Sequence, residues 1–187
     1  MAALDRAVRA LGAGAIVAYP TDTLYGLGVR AADGAAVDRL RAAKGRPEGM
    51  PVSMAVSSTA EVEALLDLGP LGRRFVRTHL PGPFTILAPP SAAGRGAVAA
   101  AAIGPGGRLG IRVPDHPLAR ELARRAGPIT STSANRHGEP PCPTVATMRA
   151  AFGRDVSVYL EGAPRPSGRP SAIVDLTGDR PRPVRRG

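Results

Sequence analysis

The chain has 187 residues, 43% of them hydrophobic and only 3% aromatic, so we expect a packed core built mainly from Ala, Val, Leu and Ile. Its single cysteine excludes an internal disulfide and a cysteine-based zinc site. The net charge of +10 indicates an anionic partner, either nucleic acid, nucleotide phosphates or an acidic protein, unless part of the excess only solvates the basic C-terminal segment.

Helices and strands are predicted to alternate in the first half of the chain. In order, the elements are a helix at 4–11 with one apolar face, a strand at 15–20, a loop at 21–28, a helix capped by Asp33, a strand at 50–56, a helix capped by Ser58, a helix at 71–80 and a strand at 84–89. Two helix starts rest on capping side chains. Asp33 can accept from a free backbone amide, and Ser58 with Glu61 is the pattern of a capping box.

The second half begins with an Ala- and Gly-rich segment at 91–107 that we interpret as a loop with room for one short element. The predicted elements that follow are a strand at 108–114, a helix capped by Asp115 and ended by Gly127, a strand at 128–133, a short helix capped by Thr144, strands at 156–160 and 171–176, and a disordered tail at 181–187.

This mixture predicts an α/β fold with one twisted, mixed β-sheet and flanking helices. No repeat and no linker interrupts the chain, so we expect a single domain spanning residues 1–187. The first twenty residues lack the pattern of a signal peptide, and no apolar run approaches the roughly 20 residues that cross a membrane. We therefore expect a cytoplasmic protein with no membrane partner.

Several common site types are absent from the sequence. There is no G-x-x-x-x-G-K-[ST] loop, and no G-x-G-x-x-G opens a helix. The three histidines are far apart, without the paired spacing of a histidine metal site, and His116 is expected on the surface. The remaining candidates are polar segments at strand ends, where α/β sheets tend to bind ligands.

The first such segment is "YPTDTLYGLG" at 19–28. Thr21 and Thr23 flank Asp22, and their hydroxyls can bind a small polar ligand while the two glycines allow close approach of the backbone. The alternative interpretation is a capped, tight connection between elements.

The second segment, "KGRPEGMPVS", places Lys44 and Arg46 at a helix end. Basic residues there complement the helix dipole. They also fit a phosphate clamp, with Lys as a point charge and Arg as a planar fork, and this segment alone does not decide between the two.

The third segment is "PITSTSAN" at 128–135. As a strand, it would place Ser131 and Ser133 on one side and Thr132 on the other, with Asn135 able to donate and accept. Buried without partners, such a row is costly, so it must face water, backbone or a ligand. A fourth segment, "RLGIRVP", places Arg108 and Arg112 on one face of a strand, which suggests an anion there.

Together these segments resemble the threonylcarbamoyl-adenylate synthase family, proteins of YrdC-like fold. The matching motifs occur in order over nearly the whole chain: "YPTDTLYGLG", "KGRP", "PVS", "RLGIRVPDHP", "STSAN", "PPCPT" and "RPSAIVDLTGDRPRPVRRG". The chain departs from the family pattern at Arg136-His137 after "SAN" and at Met50 before the proline of the second motif, and both positions fall on the expected cavity rim. It resembles the short form, without a second C-terminal domain.

The resemblance implies a deep basic cavity on one side of the sheet, in which L-threonine, bicarbonate and ATP form threonylcarbamoyl-AMP and pyrophosphate for tRNA modification. It implies that the threonine or carbamoyl group is held by Thr21, Thr23, Tyr25, Ser53, Arg112, Ser131 and Ser171. It implies that ATP is held by Lys44, Arg46, Arg108, Ser133, Asn135, Pro141 and Arg185. Lys44 and Arg46, with Mg²⁺ accompanying ATP, would meet the charge developing on pyrophosphate.

The resemblance also implies a downstream threonylcarbamoyl transferase as partner and leaves room for weak binding of RNA. Three rival interpretations stay open at this point. They are a paralogue of the same fold that binds nucleotide or RNA without synthase activity, a nucleic-acid-binding module that the scarcity of aromatics disfavours, and a carbamoyl-transferring domain of a longer protein.

Overall fold

The computed structural model describes residues 2–47 and 50–187. Its α-helices are α1 (Ala2–Gly12), α2 (Gly34–Lys44), α3 (Thr59–Leu65), α4 (Pro70–His79), α5 (Ala92–Ala97), α6 (Pro117–Ala126) and α7 (Val145–Phe152). Its strands are β1 (Ile16–Pro20), β2 (Tyr25–Gly28), β3 (Met54–Ala55), β4 (Phe84–Ala88), β5 (Leu109–Arg112), β6 (Ile129–Thr130), β7 (Thr132–Ser133), β8 (Val156–Tyr159), β9 (Ala172–Asp175) and β10 (Arg182–Arg185). The predicted α/β class is confirmed.

The strands form two mixed sheets and not the one sheet that we predicted. The order in the smaller sheet is β7-β2-β1-β8, and in the larger sheet it is β10-β9-β4-β5-β3-β6. Parallel pairs (β1 with β8, β4 with β9, β3 with β5) and antiparallel pairs occur in both. Strand periodicity predicts where strands lie but not which strands pair, and the division into two sheets is therefore a tertiary result.

The predicted strand at 128–133 is the point where the chain passes from one sheet to the other. Ile129 and Thr130 pair with β3 in the larger sheet, whereas Thr132 and Ser133 pair with β2 in the smaller sheet. At the junction, the Ser131 amide donates to the Ser53 carbonyl at 2.6 Å. The hydroxyl-rich segment thus joins the edges of the two sheets.

The buried apolar residues form three clusters, one for each packing layer. One lies between the larger sheet and the helices α3 to α5, a second packs α2 and α7 on the smaller sheet, and a third joins α1 and α6 to residues of both sheets. Most of their members are Ala, Val, Leu and Ile, as composition predicts.

Three helix caps are confirmed by their hydrogen bonds. Asp33 accepts from the Ala36 amide, Ser58 accepts from the Glu61 amide, and Thr144 forms a full capping box with Thr147. The second half of the predicted Ser58 box is not formed, because the Glu61 carboxylate accepts from Ser57 instead.

Other predictions were wrong at the ends of elements. The segment 21–28, predicted as a loop, contains β2, whereas residues 91–107 hold α5 and two short 3₁₀ turns where the prediction left room for a short element. The residue preceding α6 as its cap is His116, not Asp115, and its ring is fully buried. The tail at 181–187 is not disordered but supplies β10. Across the two described ranges, no helix is long and apolar enough to cross a membrane.

Candidate active site

A cavity of about 490 Å³ lies between the two sheets, beside the crossing at Ser131. The larger sheet contributes alternate residues of its strands to the wall, because successive side chains of a strand point to opposite faces. Thus Gly110 and Arg112 line the cavity, while Leu109 and Ile111 are in the core. A Cβ at position 110 would lie 2.9 Å from Ser53 Oγ, so glycine keeps the wall open there.

The structure brings nearly all the predicted site residues to this one cavity. Those in its lining are Thr21, Thr23, Tyr25, Lys44, Arg46, Ser53, Arg112, Ser131, Ser133, Asn135, Pro141, Ser171 and Arg185. Arg108 is the exception. The described lining also holds Met50 and His137, which were expected at the rim, and residues that sequence reasoning missed, among them Thr132, Pro170 and Val184. The roles of all these residues remain predictions.

Lys44 and Arg46 reach the same wall because a glycine separates them. Gly45 ends α2 with a left-handed backbone (φ 60°), the conformation that glycine adopts most readily. The Lys44 ammonium donates to the carbonyls of Ser133 and Asn135 (the latter at 2.6 Å), and Arg46 Nη1 donates to Thr132 Oγ1 at 3.1 Å. The K-G-R spacing therefore fixes two cations against the hydroxyl-rich segment.

Lys44 is a buried cation with only 4% of its surface exposed. Burial, together with the neighbouring Arg46 cation, lowers the pKa of Lys44 to about 8. Burial also lowers the pKa of Arg46. Both shifts have the sign expected for cations held in a desolvated wall, where a bound anion would favour the charged forms.

Arg112 is a second buried cation of the cavity, with 5% of its surface exposed. Its Nη1 donates to Thr23 Oγ1 at 2.8 Å and its Nη2 to Asp22 Oδ1 at 2.6 Å, while its Nε has no protein partner. Burial is the main cause that lowers its pKa, and the Asp22 carboxylate opposes it. Asp22 is thus the counter-ion that orients Arg112, a role that its position between two threonines did not reveal.

The loop that carries Thr21 and Thr23 (residues 21–24) is held in shape by its own hydrogen bonds and by a second loop, which contains residues 167 and 168. Thr21 Oγ1 lies 3.0 Å from Thr23 Oγ1 and donates to the Leu24 carbonyl at 2.7 Å. From the other side, the amides of Ser167 and Gly168 donate to the carbonyls of Asp22 and Thr23 at 3.1 and 2.9 Å. The segment therefore forms both the tight connection and the polar wall that sequence analysis treated as alternatives.

The side chains of "STSAN" are divided between the cavity and the backbone. Ser131, Thr132 and Ser133 all line the cavity. The chain passes from one sheet to the other here, which interrupts the alternation of side chains that would have pointed Thr132 away from the cavity. Asn135 Nδ2 donates to the carbonyls of Arg136 and Glu139, each at 2.8 Å, and so shapes the proline-rich loop that follows.

Arg185 enters the cavity from β10 at its open side. Its Nη2 donates to the Ser171 carbonyl at 2.8 Å, and Ser171 Oγ lies 3.0 Å from Thr85 Oγ1. Burial lowers the pKa of Arg185. Both Ser171 and Arg185 therefore belong to the wall of the cavity.

Arg108 lies outside the cavity lining, so the prediction that it shares an anion with Arg112 was wrong in its geometry. Arg108 Nη1 instead donates to Asp175 Oδ2 at 2.7 Å. The anion that the position of Arg108 suggested is therefore the Asp175 carboxylate of the protein itself.

Fold and site together define an α/β protein with a polar, cation-lined cavity suited to small anionic substrates. A family profile described as "Telomere recombination", that of the Sua5, YciO and YrdC proteins, matches residues 9–187, and the chain belongs to this family.

Individual relatives agree with that assignment. The threonylcarbamoyl-AMP synthase of Chromohalobacter salexigens is 41% identical over 172 residues, covering 91% of this chain and 90% of that protein. A structure of P. abyssi Sua5 complexed with L-threonine aligns with a TM-score of 0.86 and 29% identity over 97% of this chain. This chain spans about half (54%) of that Sua5 chain. E. coli YciO, at 24% identity and a TM-score of 0.88 over 98% of this chain and 88% of that chain, supports the fold.

Proposed function

We propose that the protein is an L-threonylcarbamoyladenylate synthase, which condenses L-threonine, bicarbonate and ATP into threonylcarbamoyl-AMP and pyrophosphate for tRNA modification. The observation that carries the proposal is the convergence of four cations, Lys44, Arg46, Arg112 and Arg185, in one cavity with a row of hydroxyls. Glu139 is the one carboxylate in the described part of the lining. The naming of the relatives as synthases supports the same activity.

The two ends of the cavity suit the two larger substrates. At one end, the Arg112 guanidinium offers an ion pair to the carboxylate of an amino acid, and the hydroxyls of Thr21 and Thr23 offer hydrogen bonds to it. At the other end, Lys44 and Arg46 offer cations to a triphosphate, and the hydroxyls of residues 131–133 offer hydrogen-bond donors. Arg185, on the open side, can contact the nucleotide after it has entered.

The chemistry needs alignment and charge neutralisation more than a protein nucleophile. The amine of threonine takes up bicarbonate with loss of water and becomes a carbamate. An oxygen of that carbamate attacks the α-phosphorus of ATP, and the bond from this phosphorus to the pyrophosphate oxygen breaks. Lys44 and Arg46 would stabilise the negative charge that accumulates on the departing pyrophosphate.

We propose that Mg²⁺ enters with ATP. In the two described ranges, no group of three or more His, Cys, Asp or Glu side chains could hold a metal ion. Magnesium is commonly bound through substrate phosphates with few protein carboxylates, so this wall fits an ion that the nucleotide brings. The ion would neutralise phosphate charge beside Lys44 and Arg46.

The downstream partner of this reaction is an enzyme that transfers the threonylcarbamoyl group from the product to tRNA. The mixed anhydride between a carbamate and a phosphate is an activated acyl donor, so a transferase must consume it before water does. A direct contact of this protein with RNA would be weak.

The experiment is incubation of the protein with Mg²⁺, ATP, L-threonine and labelled bicarbonate, followed by mass analysis of the product and measurement of pyrophosphate. We expect pyrophosphate release that depends on both threonine and bicarbonate, and label in a threonylcarbamoyl-AMP product. Lys44→Ala should remove most of this activity with little change in thermal melting. Binding of ATP without any threonine-dependent pyrophosphate would identify a nucleotide-binding paralogue and contradict the proposal.

A further inference from the structure

The C-terminal strand β10 is fastened to the protein at a carboxylate outside the cavity. We propose that Arg108, Asp175 and Arg182 form a clasp that positions Arg185 for ATP, so that residues remote from the nucleotide set its affinity. This inference rests on the proposed function, because it assumes that ATP is the ligand of Arg185. It also assigns a role to Arg108 that differs from the direct contact that sequence analysis predicted.

The centre of the clasp is Asp175, which is only 1% exposed. Its Oδ2 accepts from Arg108 Nη1 and from Arg182 Nη2, each at 2.7 Å. Its Oδ1 accepts from the Thr177 amide at 2.9 Å and from Thr177 Oγ1 at 2.6 Å. Both oxygens therefore accept hydrogen bonds from charged or polar donors. The clasp is a buried, fully hydrogen-bonded carboxylate and not an exposed surface ion pair.

The electrostatics of Asp175 agree with this geometry. Burial alone would raise the pKa of the carboxyl group, but the hydrogen bonds from Thr177 and Arg182 outweigh it and hold the pKa well below its usual range. The carboxylate is therefore charged at any pH at which the protein works. In this charged form it accepts hydrogen bonds from both guanidinium groups.

Among the described residues, and apart from its backbone pairing with β9, the strand β10 is held only by polar side-chain contacts, of which the clasp is the largest. All four of its side chains are exposed, and Val184 is 53% exposed, so no apolar anchor enters the core. Arg182 pairs directly with Asp175 across the strands, and the register shifts between Pro183 and Arg185. The clasp thus holds β10 before the register shift, at Arg182. The hydrogen bond from Arg185 to Ser171 holds the strand after the shift.

The clasp is also separate from the ligand wall. Arg108, Asp175 and Arg182 are all missing from the described lining of the cavity, while Arg185 is part of it. Arg182 is 71% exposed at its side chain, so its removal should leave the core intact. A change in ATP affinity on altering Arg182 therefore has to pass through β10, or through the loss of one positive charge.

The test is a double-mutant cycle on Arg182→Ala and Arg185→Ala, with the dissociation constant of ATP measured by calorimetry in the presence of Mg²⁺. We expect Arg182→Ala to weaken ATP binding about three- to tenfold, which is in the lower part of the coupling found between residues of one ion-pair network. In the Arg185→Ala background the same change should have no further effect. Threonine binding should be unchanged by Arg182→Ala, and Arg182→Lys should restore part of the lost affinity.

The matched control is Arg77→Ala, which also removes one exposed arginine that is paired with a carboxylate (Glu63), but on α4. If Arg77→Ala weakens ATP binding as much as Arg182→Ala, or if Arg182→Ala has the same effect with and without Arg185, bulk charge explains the result and the clasp is overturned. Asp175→Asn removes the charge at the centre of the clasp and can take the place of Arg182→Ala in the same double-mutant cycle. Thermal melting checks that this variant folds.

Hydrogen exchange of residues 181–187 without nucleotide separates this inference from the proposed function. We expect faster exchange there in Arg182→Ala and no change in Arg77→Ala. Unchanged exchange would overturn the clasp even if the wild-type protein binds ATP. Faster exchange in a protein that fails to bind ATP would support the clasp as a joint and overturn the proposed function.

Discussion

At the scale of single residues, the cavity is built from cations whose partners are mostly backbone carbonyls and hydroxyls. Lys44 illustrates this, because its ammonium is buried against the carbonyls of Ser133 and Asn135 and not against a carboxylate. Arg112 differs in having Asp22 as a counter-ion. A cation without a carboxylate partner keeps most of its charge available for a ligand, which is why Lys44 is the residue to test first.

We predict that the affinity for ATP falls as the pH rises through about 8, because burial and the neighbouring Arg46 lower the pKa of Lys44 to about 8. Above that pH, Lys44 loses its proton in the free protein, and the phosphates lose one of their cations. At one pH unit above the pKa, about tenfold weaker binding is expected if only the charged form binds. Calorimetry with ATP and Mg²⁺ between pH 7 and 9.5 measures this.

The matched variant is Lys44→Arg, which keeps its charge over the whole range and should therefore show a flat profile. The stability of the wild-type protein should change in the opposite direction. The folded state holds Lys44 at a lower pKa than the unfolded chain, so the unfolded chain binds more protons between about pH 8 and 10.5, and raising the pH there relieves a cost of burial. A pH-independent ATP affinity in the wild type would remove Lys44 from the phosphate site.

At the scale of elements, the C-terminal strand shows how a segment without an apolar pattern becomes ordered. Composition predicts a disordered basic tail, yet β10 pairs with β9, and this pairing provides partners for backbone groups that would otherwise bind water. The arginines of the strand add ion pairs and hydrogen bonds to Asp175 and Ser171. The strand is therefore held by polar contacts, which a hydrophobic pattern cannot reveal.

Deletion of residues 181–187 should weaken ATP binding and leave the fold intact. The deletion removes Arg185 from the cavity, while no residue of the segment belongs to the buried core. We expect at least a tenfold loss of ATP affinity, since hydrogen-bonded charges contribute about 1.5–3 kcal/mol. Calorimetry and thermal melting of the truncated chain measure the two effects.

A shorter deletion of residues 186–187 keeps Arg185 and serves as the control. It should bind ATP like the full chain. If the longer truncation also binds ATP and turns over like the full chain, the tail has no part in the site, and Arg185 leaves the set of ligand residues.

At the scale of the whole molecule, the charge of +10 is spread over a surface that offers few aromatic platforms for nucleic-acid bases. Tyr19 and Tyr25 are buried, Phe75 and Phe84 pack edge to face, and Arg149 covers the ring of Tyr159. Base stacking on exposed aromatic rings is the usual basis of tight binding to single strands. The charge of this molecule therefore favours attraction to anions without selective recognition of RNA.

RNA binding by this protein should consequently be weak and strongly dependent on salt. If about six phosphates are neutralised, the affinity should fall by roughly a thousandfold between 50 and 200 mM salt. Fluorescence anisotropy with a labelled tRNA and a DNA duplex of similar charge measures both the slope and the preference. Tight, salt-insensitive binding to one RNA would instead favour a nucleic-acid-binding module.

The sequence by itself determined the features that depend on near neighbours. The caps at Asp33, Ser58 and Thr144 are contacts between residues three apart, and the left-handed Gly45 lies inside the motif that it shapes. The resemblance of ordered motifs also selected about half of the described cavity wall, because the motifs lie at the ends or edges of strands and helices.

Only the tertiary structure decided which distant groups meet. Arg108 and Asp175 are separated by 67 residues, and Tyr19 and Thr130 by 111, so nothing local indicates that they bond. The same applies to the burial of His116, to the Asp22 counter-ion and to the passage of residues 129–133 between two sheets. Helix caps and hydrophobic periodicity express local energies, whereas strand pairing and ion pairs over long separations arise only when the packed core brings the segments together.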